Sequence, residues 1–186
     1  MRASKKPYYS LIGNHDTSTD KRVWADSMDM PSRYYSFICG EYKIICLDPN
    51  NNDEKTAFHE KEILWSETFI DDEQFNWLKK EIDEAERDVL IFSHELLILE
   101  DIENDNDHVL RNRQKVLALI ESSKKVRAFF AGHYHSGDYV KHADVNYITF
   151  RSVCLEDNAA HAVITVDKNT ITVDGFEGQE SYVIKK

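Results

Sequence analysis

The sequence has no apolar run near the roughly 18 residues that a membrane-spanning helix requires, and it opens without the apolar h-region of a signal peptide. A transmembrane reading is excluded, and a cytoplasmic location is the expectation. Basic residues are outnumbered: 23 Lys and Arg stand against 34 Asp and Glu, for a net charge of −11. That removes nucleic acid and membrane surfaces from the expected partners, since both call for a basic face. The three cysteines, Cys39, Cys46 and Cys154, form no CxxC pair and no zinc-ribbon spacing. If Gly40-Glu41 makes a two-residue turn, Cys39 stands opposite Tyr42 and Cys46 lies further up its strand, which disfavours a disulfide. All three are expected as free thiols, in a reducing compartment or buried. There is no internal repeat, low-complexity tract or defensible internal boundary. Residues 1–186 therefore read as one domain, and a hydrophobic content of 41% is enough to give it a core.

What is present follows an α/β rhythm. Pro7-Tyr8-Tyr9-Ser10-Leu11-Ile12 is a β-prone run that ends in Gly13-Asn14-His15-Asp16. Aromatic and β-branched residues over 34–39 and 42–47, split by a glycine turn, predict a hairpin. Residues 49–70 are polar and irregular apart from Phe58, Trp65 and Phe69, the pattern of a long functional or mobile loop. Asp71 reads as an N-cap with Gln74 at the capping-box position, followed at helical spacing by Phe75, Leu78, Ile82 and Ala85. Val89-Leu90-Ile91-Phe92 is a continuous apolar run, expected as a strand buried on both faces, and it leads into His94. Val109, Val116, Leu117 and Ile120 mark a second amphipathic helix. A second buried run, 126–131, ends in Gly132-His133-Tyr134-His135. Three β-prone segments near 145–150, 161–167 and 170–176 close the chain. Strand-helix-strand-helix-strand, then strands alone, predicts α/β layers with two packed sheets.

Three apolar runs thus end in metal-competent residues: Asn14-His15-Asp16, His94, and His133 with His135. Loops beyond the carboxyl ends of strands are where α/β sheets bind ligands. Each piece also has a bland reading. Gly-Asn-His-Asp alone serves equally as a turn, and His94 alone as a satisfied core histidine. On a regular strand His133 and His135 would face opposite ways, so Gly132 is expected to let the chain leave the sheet. The coincidence at strand ends favours a site, and Asn, imidazole and carboxylate donors suit Mn, Fe or Zn. The acidic charge points the same way, because an acidic protein attracts phosphate only through a local cation or a basic cluster.

Gly13-Asn14-His15-Asp16, the strand-end His94 and Gly132-His133-Tyr134-His135 resemble, in order, the last three signature blocks of the calcineurin-like metallophosphoesterases. Tyr34-Tyr35-Ser36-Phe37 with Leu47-Asp48, and Gln74-Phe75-Asn76-Trp77-Leu78, fit the same resemblance, which runs over essentially the whole chain. Phe129-Phe130-Ala131-Gly132-His133 and the segment around Asn112-Arg113 are similar to the manganese-dependent ADP-ribose/CDP-alcohol diphosphatase branch. The resemblance implies a four-layer α-β-β-α sandwich and hydrolysis of phosphoester or phosphoanhydride bonds by in-line attack of a metal-bridging hydroxide. It implies two divalent ions (Mn, Fe or Zn) in the complete domain. Asn14, His94 and His133 would hold the second metal and His135 the first. His15 would act as a catalytic residue on the transition state or leaving oxygen, with Asp16 orienting its imidazole. The expected partner is a small phosphorylated substrate, a nucleotide among the candidates.

The departures are specific. The family's Asp-x-His and Gly-Asp blocks should precede Gly13, and Met1 to Ile12 contain neither Asp nor His. An N-terminally incomplete domain is expected, missing leading strands and holding at most one weak metal site, with self-association through the surface so exposed. Glu95 and Leu96 follow His94 where many relatives carry a small residue or Pro. Two other readings stay open, a catalytically inactive binding or regulatory module and a purely structural α/β fragment. His59, His108, His142 and His161 are expected as non-ligands. Phe58, Trp65 and Phe69 would serve either as core or as a stacking surface for a base. Arg111 and Arg113 could meet a phosphate bidentately, or occupy the solvated face of a helix.

Overall fold

The computed structural model of the protein describes residues 6–18, 20–51, 65–101, 107–154 and 159–185. Phe58 and His59 lie outside that set. Two sheets are formed. The larger has six strands in the order β1-β2-β3-β4-β6-β5, with β1 Tyr35–Cys39, β2 Tyr42–Cys46, β3 Asp88–Phe92, β4 Val126–Ala131, β5 Asp138–His142 and β6 Val145–Thr149. Strands β2, β3, β4 and β6 run parallel, and β1 and β5 are antiparallel edges. The smaller sheet is antiparallel, β7-β8-β9, from His161–Val166, Thr170–Phe176 and Tyr182–Lys185.

The continuous apolar runs are explained by what covers them. In β3, Val89 and Ile91 join the core beneath helices α2 (Asp72–Asp83) and α3 (Arg113–Ser123), alongside Leu78, Ile82, Val116 and Ile120. Leu90 faces the other way, into a second core with Phe130, Ile148 and the small-sheet residues Ile171, Val173 and Ile184. Helix α1 (Lys21–Ser27) adds Ala25 to that second core. A strand covered on both faces cannot alternate apolar with polar. The α/β layering with two packed sheets is the architecture the sequence predicts.

Several local expectations are corrected. Pro7 to Ile12 pairs with no strand among the described residues; Tyr9 instead stacks on Phe37 at 3.7 Å. Val109 lies outside α3 and forms an isolated bridge with Leu96. Asp71 caps α2 through the Gln74 N–H at 2.8 Å, but the Gln74 side chain does not close a capping box. It is buried and turned inward to the backbone of Asp48. Arg113 opens α3, whereas exposed Arg111 precedes it and pairs with Glu67 at 3.6 Å. The hairpin over Gly40 has the expected register, with Cys39 opposite Tyr42 and Cys46 opposite Tyr35, and all three cysteines are free. Among the described residues no helix is long and apolar enough to cross a membrane.

Candidate metal centre at the strand ends

Parallel pairing of β3 with β4 brings the loops beyond their carboxyl ends together. Ser93 N–H donates to Phe130 O and Gly132 N–H to His94 O, each at 3.0 Å, so the two histidine loops are tied by backbone. Asn14, which opens a short 3-10 turn (Asn14–Ser18), enters from the third loop. Its Oδ1 lies 2.8 Å from His94 Nε2. Gly13 makes this approach possible, since a Cβ there would sit 3.2 Å from the His94 ring.

His133 leaves the sheet by its own backbone rather than through Gly132. Its φ is +62°, and across it the Tyr134 N–H donates to Gly132 O at 2.6 Å. That is a tight three-residue turn, which is strained for a non-glycine residue. It sets the His133 ring 5.1 Å, centroid to centroid, from that of His94. His133 Nε2 is buried and has no hydrogen-bond partner among the described residues. His108 and Trp65 pack on the same ring at 5.2 and 5.6 Å. His108, expected as a non-ligand, is therefore part of the surroundings of the site. Nothing in its charged local sequence signals this.

A cavity of about 380 Å³ opens beside these loops, lined by His15, His94, His133 and His135 over an apolar floor of Phe92, Phe130 and Phe150. Arg151 also lines it, and among the described residues no Asp or Glu does. Exposed His15 and His135 form its rim. Asp16 does not orient His15. Its carboxylate accepts the Gly13 N–H at 2.9 Å, because the 3-10 turn carries the side chain back over the start of the loop.

Burial pushes His94 down to about 4, with His15 and His135 adding to the effect. Burial likewise pushes His133 to about 3, followed by His94, His108, His135 and His15. Both imidazoles are neutral at pH 7, the form that coordinates a cation. Glu95, fully buried next to His94, is raised to about 8, first by burial and then by Asp48, and neither carboxyl oxygen has a partner among the described residues.

No protein-family model matches the chain, and neither does any curated protein. Solved structures do. A dimetal phosphatase from Danio rerio superposes with a TM-score of 0.77 at 18% identity, over 95% of this chain and 71% of that one. The chain has the metallophosphoesterase fold. GAP50, described as the anchor in the inner membrane complex of Plasmodium, is also similar, with a TM-score of 0.68 at 12% identity over 96% of this chain and 66% of that one.

Against what the metallophosphoesterase resemblance implies, the donor set is partial. Among the described residues no three His, Cys, Asp or Glu side chains come together as a metal cage. What converges is two neutral imidazoles and one amide oxygen. The partnerless His133 Nε2 beside the Asn14–His94 contact fits one divalent ion. Among the described residues no carboxylate lines the cavity beside exposed His135, so these residues supply the donors for one ion rather than two.

Proposed function

We propose that this chain carries the histidine half of a metal-dependent phosphoester or phosphoanhydride hydrolase. The observation behind this is the Asn14 Oδ1–His94 Nε2 contact beyond the ends of parallel strands, with the His133 ring 5.1 Å from that of His94 and its Nε2 without a partner among the described residues. Asn14, His94 and His133 would hold one divalent ion, with Mn, Fe and Zn all compatible with N/O donors. When bound, that ion supplies Lewis acidity to a phosphoryl oxygen. Asn14 Oδ1 can only accept, so in this arrangement His94 carries its proton on Nε2, and holding an ion through Nε2 would require that proton on Nδ1. His15 on the rim, exposed and beside the cavity, would deliver a proton to the leaving oxygen. Arg151 would receive phosphate oxygens, and the phenylalanine floor excludes water.

A second reading, a binding module without turnover, is favoured by two facts. Among the described residues no carboxylate lines the cavity, and one structural neighbour is described as an anchor. Hydrolysis of bis(p-nitrophenyl) phosphate by the complete gene product with Mn²⁺ separates the two. The hydrolase reading expects metal-stimulated turnover that His133→Ala and Asn14→Ala abolish. Turnover that is absent, or indifferent to both variants, favours the binding module.

A further inference from the structure

Beneath the loop that carries Asn14 lies a buried charged network. Asp48, just past the end of β2, has no solvent exposure. Gln74 of α2 clamps its backbone, accepting from Asp48 N–H at 2.9 Å and donating to Asp48 O at 2.7 Å. The Asp48 carboxylate receives the Lys21 ammonium of α1 at 3.1 Å and the Arg33 guanidinium at 2.8 Å. Lys21 is itself only 2% exposed and donates to the Asn50 carbonyl as well. The Asn50 side-chain nitrogen then gives one proton to Asp48 at 3.1 Å and the other to the Ile12 carbonyl at 2.9 Å. Ile12 is the residue before Gly13-Asn14.

We propose that Asn50, fixed by the buried Asp48–Lys21 pair, is a positioning residue that holds the Gly13-Asn14 loop against His94. The assignment rests on reading Asn14 and His94 as cation ligands. A buried ion pair contributes little net stability, and apolar replacements of similar volume are often as stable. What this pair does supply is direction, because every proton on the Asn50 amide nitrogen is committed and one of them pins Ile12. A Cβ added at Gly13 would already sit 3.2 Å from the His94 ring, so the loop has little room to shift toward that ring, and the anchor below sets where Asn14 Oδ1 sits. Outer partners of this kind orient ligands, and their loss typically weakens metal affinity by about 10–100-fold.

The test compares Asn50→Ala, and the milder Asn50→Ser that keeps a polar group beside Asp48, with Ile120→Val as a destabilised control in the core under α3, toward the start of β4 and away from the strand ends. In the cation-free protein, nitrogen and proton NMR of the His94 ring and the Asn14 side-chain amide reads their contact directly. Both Asn50 variants are expected to move and broaden these signals, while Ile120→Val leaves them in place. Zn²⁺ titration of the same proteins is expected to show about tenfold or greater weakening for the Asn50 variants alone. Unchanged His94 and Asn14 signals in a folded Asn50 variant would overturn the proposal. A wild-type protein blind to Zn²⁺ counts against the cation reading instead, and the NMR comparison still decides the positioning role.

Discussion

Asn14 Oδ1 and His94 Nε2 lie 2.8 Å apart across 80 residues of sequence. Neither element that carries them is local to the other. The contact depends on three things: β3 pairing with β4, Gly13 lacking a side chain, and the Asn50 anchor under Ile12. His133 then brings a third donor from the adjoining strand end, with a backbone conformation that a histidine adopts only under constraint.

That constraint gives a first prediction. Holding a non-glycine residue at positive φ costs about 1 kcal/mol or more, so His133→Gly is expected to be more stable than His133→Ala by about 1 kcal/mol in urea denaturation. Both lose the donor and bind divalent cations equally poorly. A His133→Ala protein as stable as His133→Gly would show that the turn is unstrained.

Stability of the cation-free protein should peak in pH. His94 and His133 are held at about 4 and about 3, below the ordinary 6.5. Below pH 6.5 the unfolded chain therefore takes up protons that the folded chain refuses, and stability falls as the pH drops through that window. Glu95 acts in the opposite sense. Raised from 4.5 to about 8, it keeps its proton when folded and loses it when unfolded, so it removes stability as the pH rises toward 8. Two imidazoles outweigh one carboxyl on the acid side, which places the maximum near 6.5, the ordinary histidine value. Urea denaturation in pH steps checks this. Glu95→Gln is expected to flatten the alkaline limb and His133→Asn the acid one, and a profile indifferent to both would contradict the assigned shifts.

Gln74 offers a test of the layer beneath. Its side chain satisfies both backbone groups of buried Asp48, and Gln74→Ala leaves them without partners. The expected loss is about 2–3 kcal/mol, the scale of orphaning two buried backbone groups. A loss under about 0.5 kcal/mol, typical of a surface change, would mean that water replaces the clamp.

Thiol labelling provides a simple check of the packing. Cys39 and Cys154 are exposed and Cys46 is buried. Two rapid alkylations without reductant are expected, with the third only after unfolding. A missing reactive thiol would indicate a disulfide.

The large-scale arrangement was legible because burial writes itself into local pattern. Val89 to Phe92 is apolar throughout, and the run 126–131 is apolar but for Arg127, since both faces are covered, and Gly40 marks its own turn through a positive φ. Strand ends followed by histidine located His94, His133 and His135 for the same reason. Contacts that local pattern does not carry were missed. β5 and β9 are short edge strands with mostly exposed residues. The turn between β5 and β6 uses Ala143 and Asp144 at positive φ, where glycine or asparagine would have announced it. Gln74 looks like a capping-box residue, yet its side chain reaches the backbone of Asp48, and the Asn112 side chain reaches that of Ile70. His108 meets His133 only through tertiary packing, and Glu95 carries no mark in sequence of its complete burial. Pro7 to Ile12 shows the converse, a β-prone run that pairs with no strand among the described residues.

The most direct measurement is calorimetric titration of the purified chain with Zn²⁺ and Mn²⁺ at pH 7, where His94 and His133 are neutral. The expected result is a single bound ion, lost in His94→Ala and His133→Ala, weakened in Asn14→Ala and unaffected in His161→Ala. No binding, or binding that survives His133→Ala, would contradict a cation site at these strand ends.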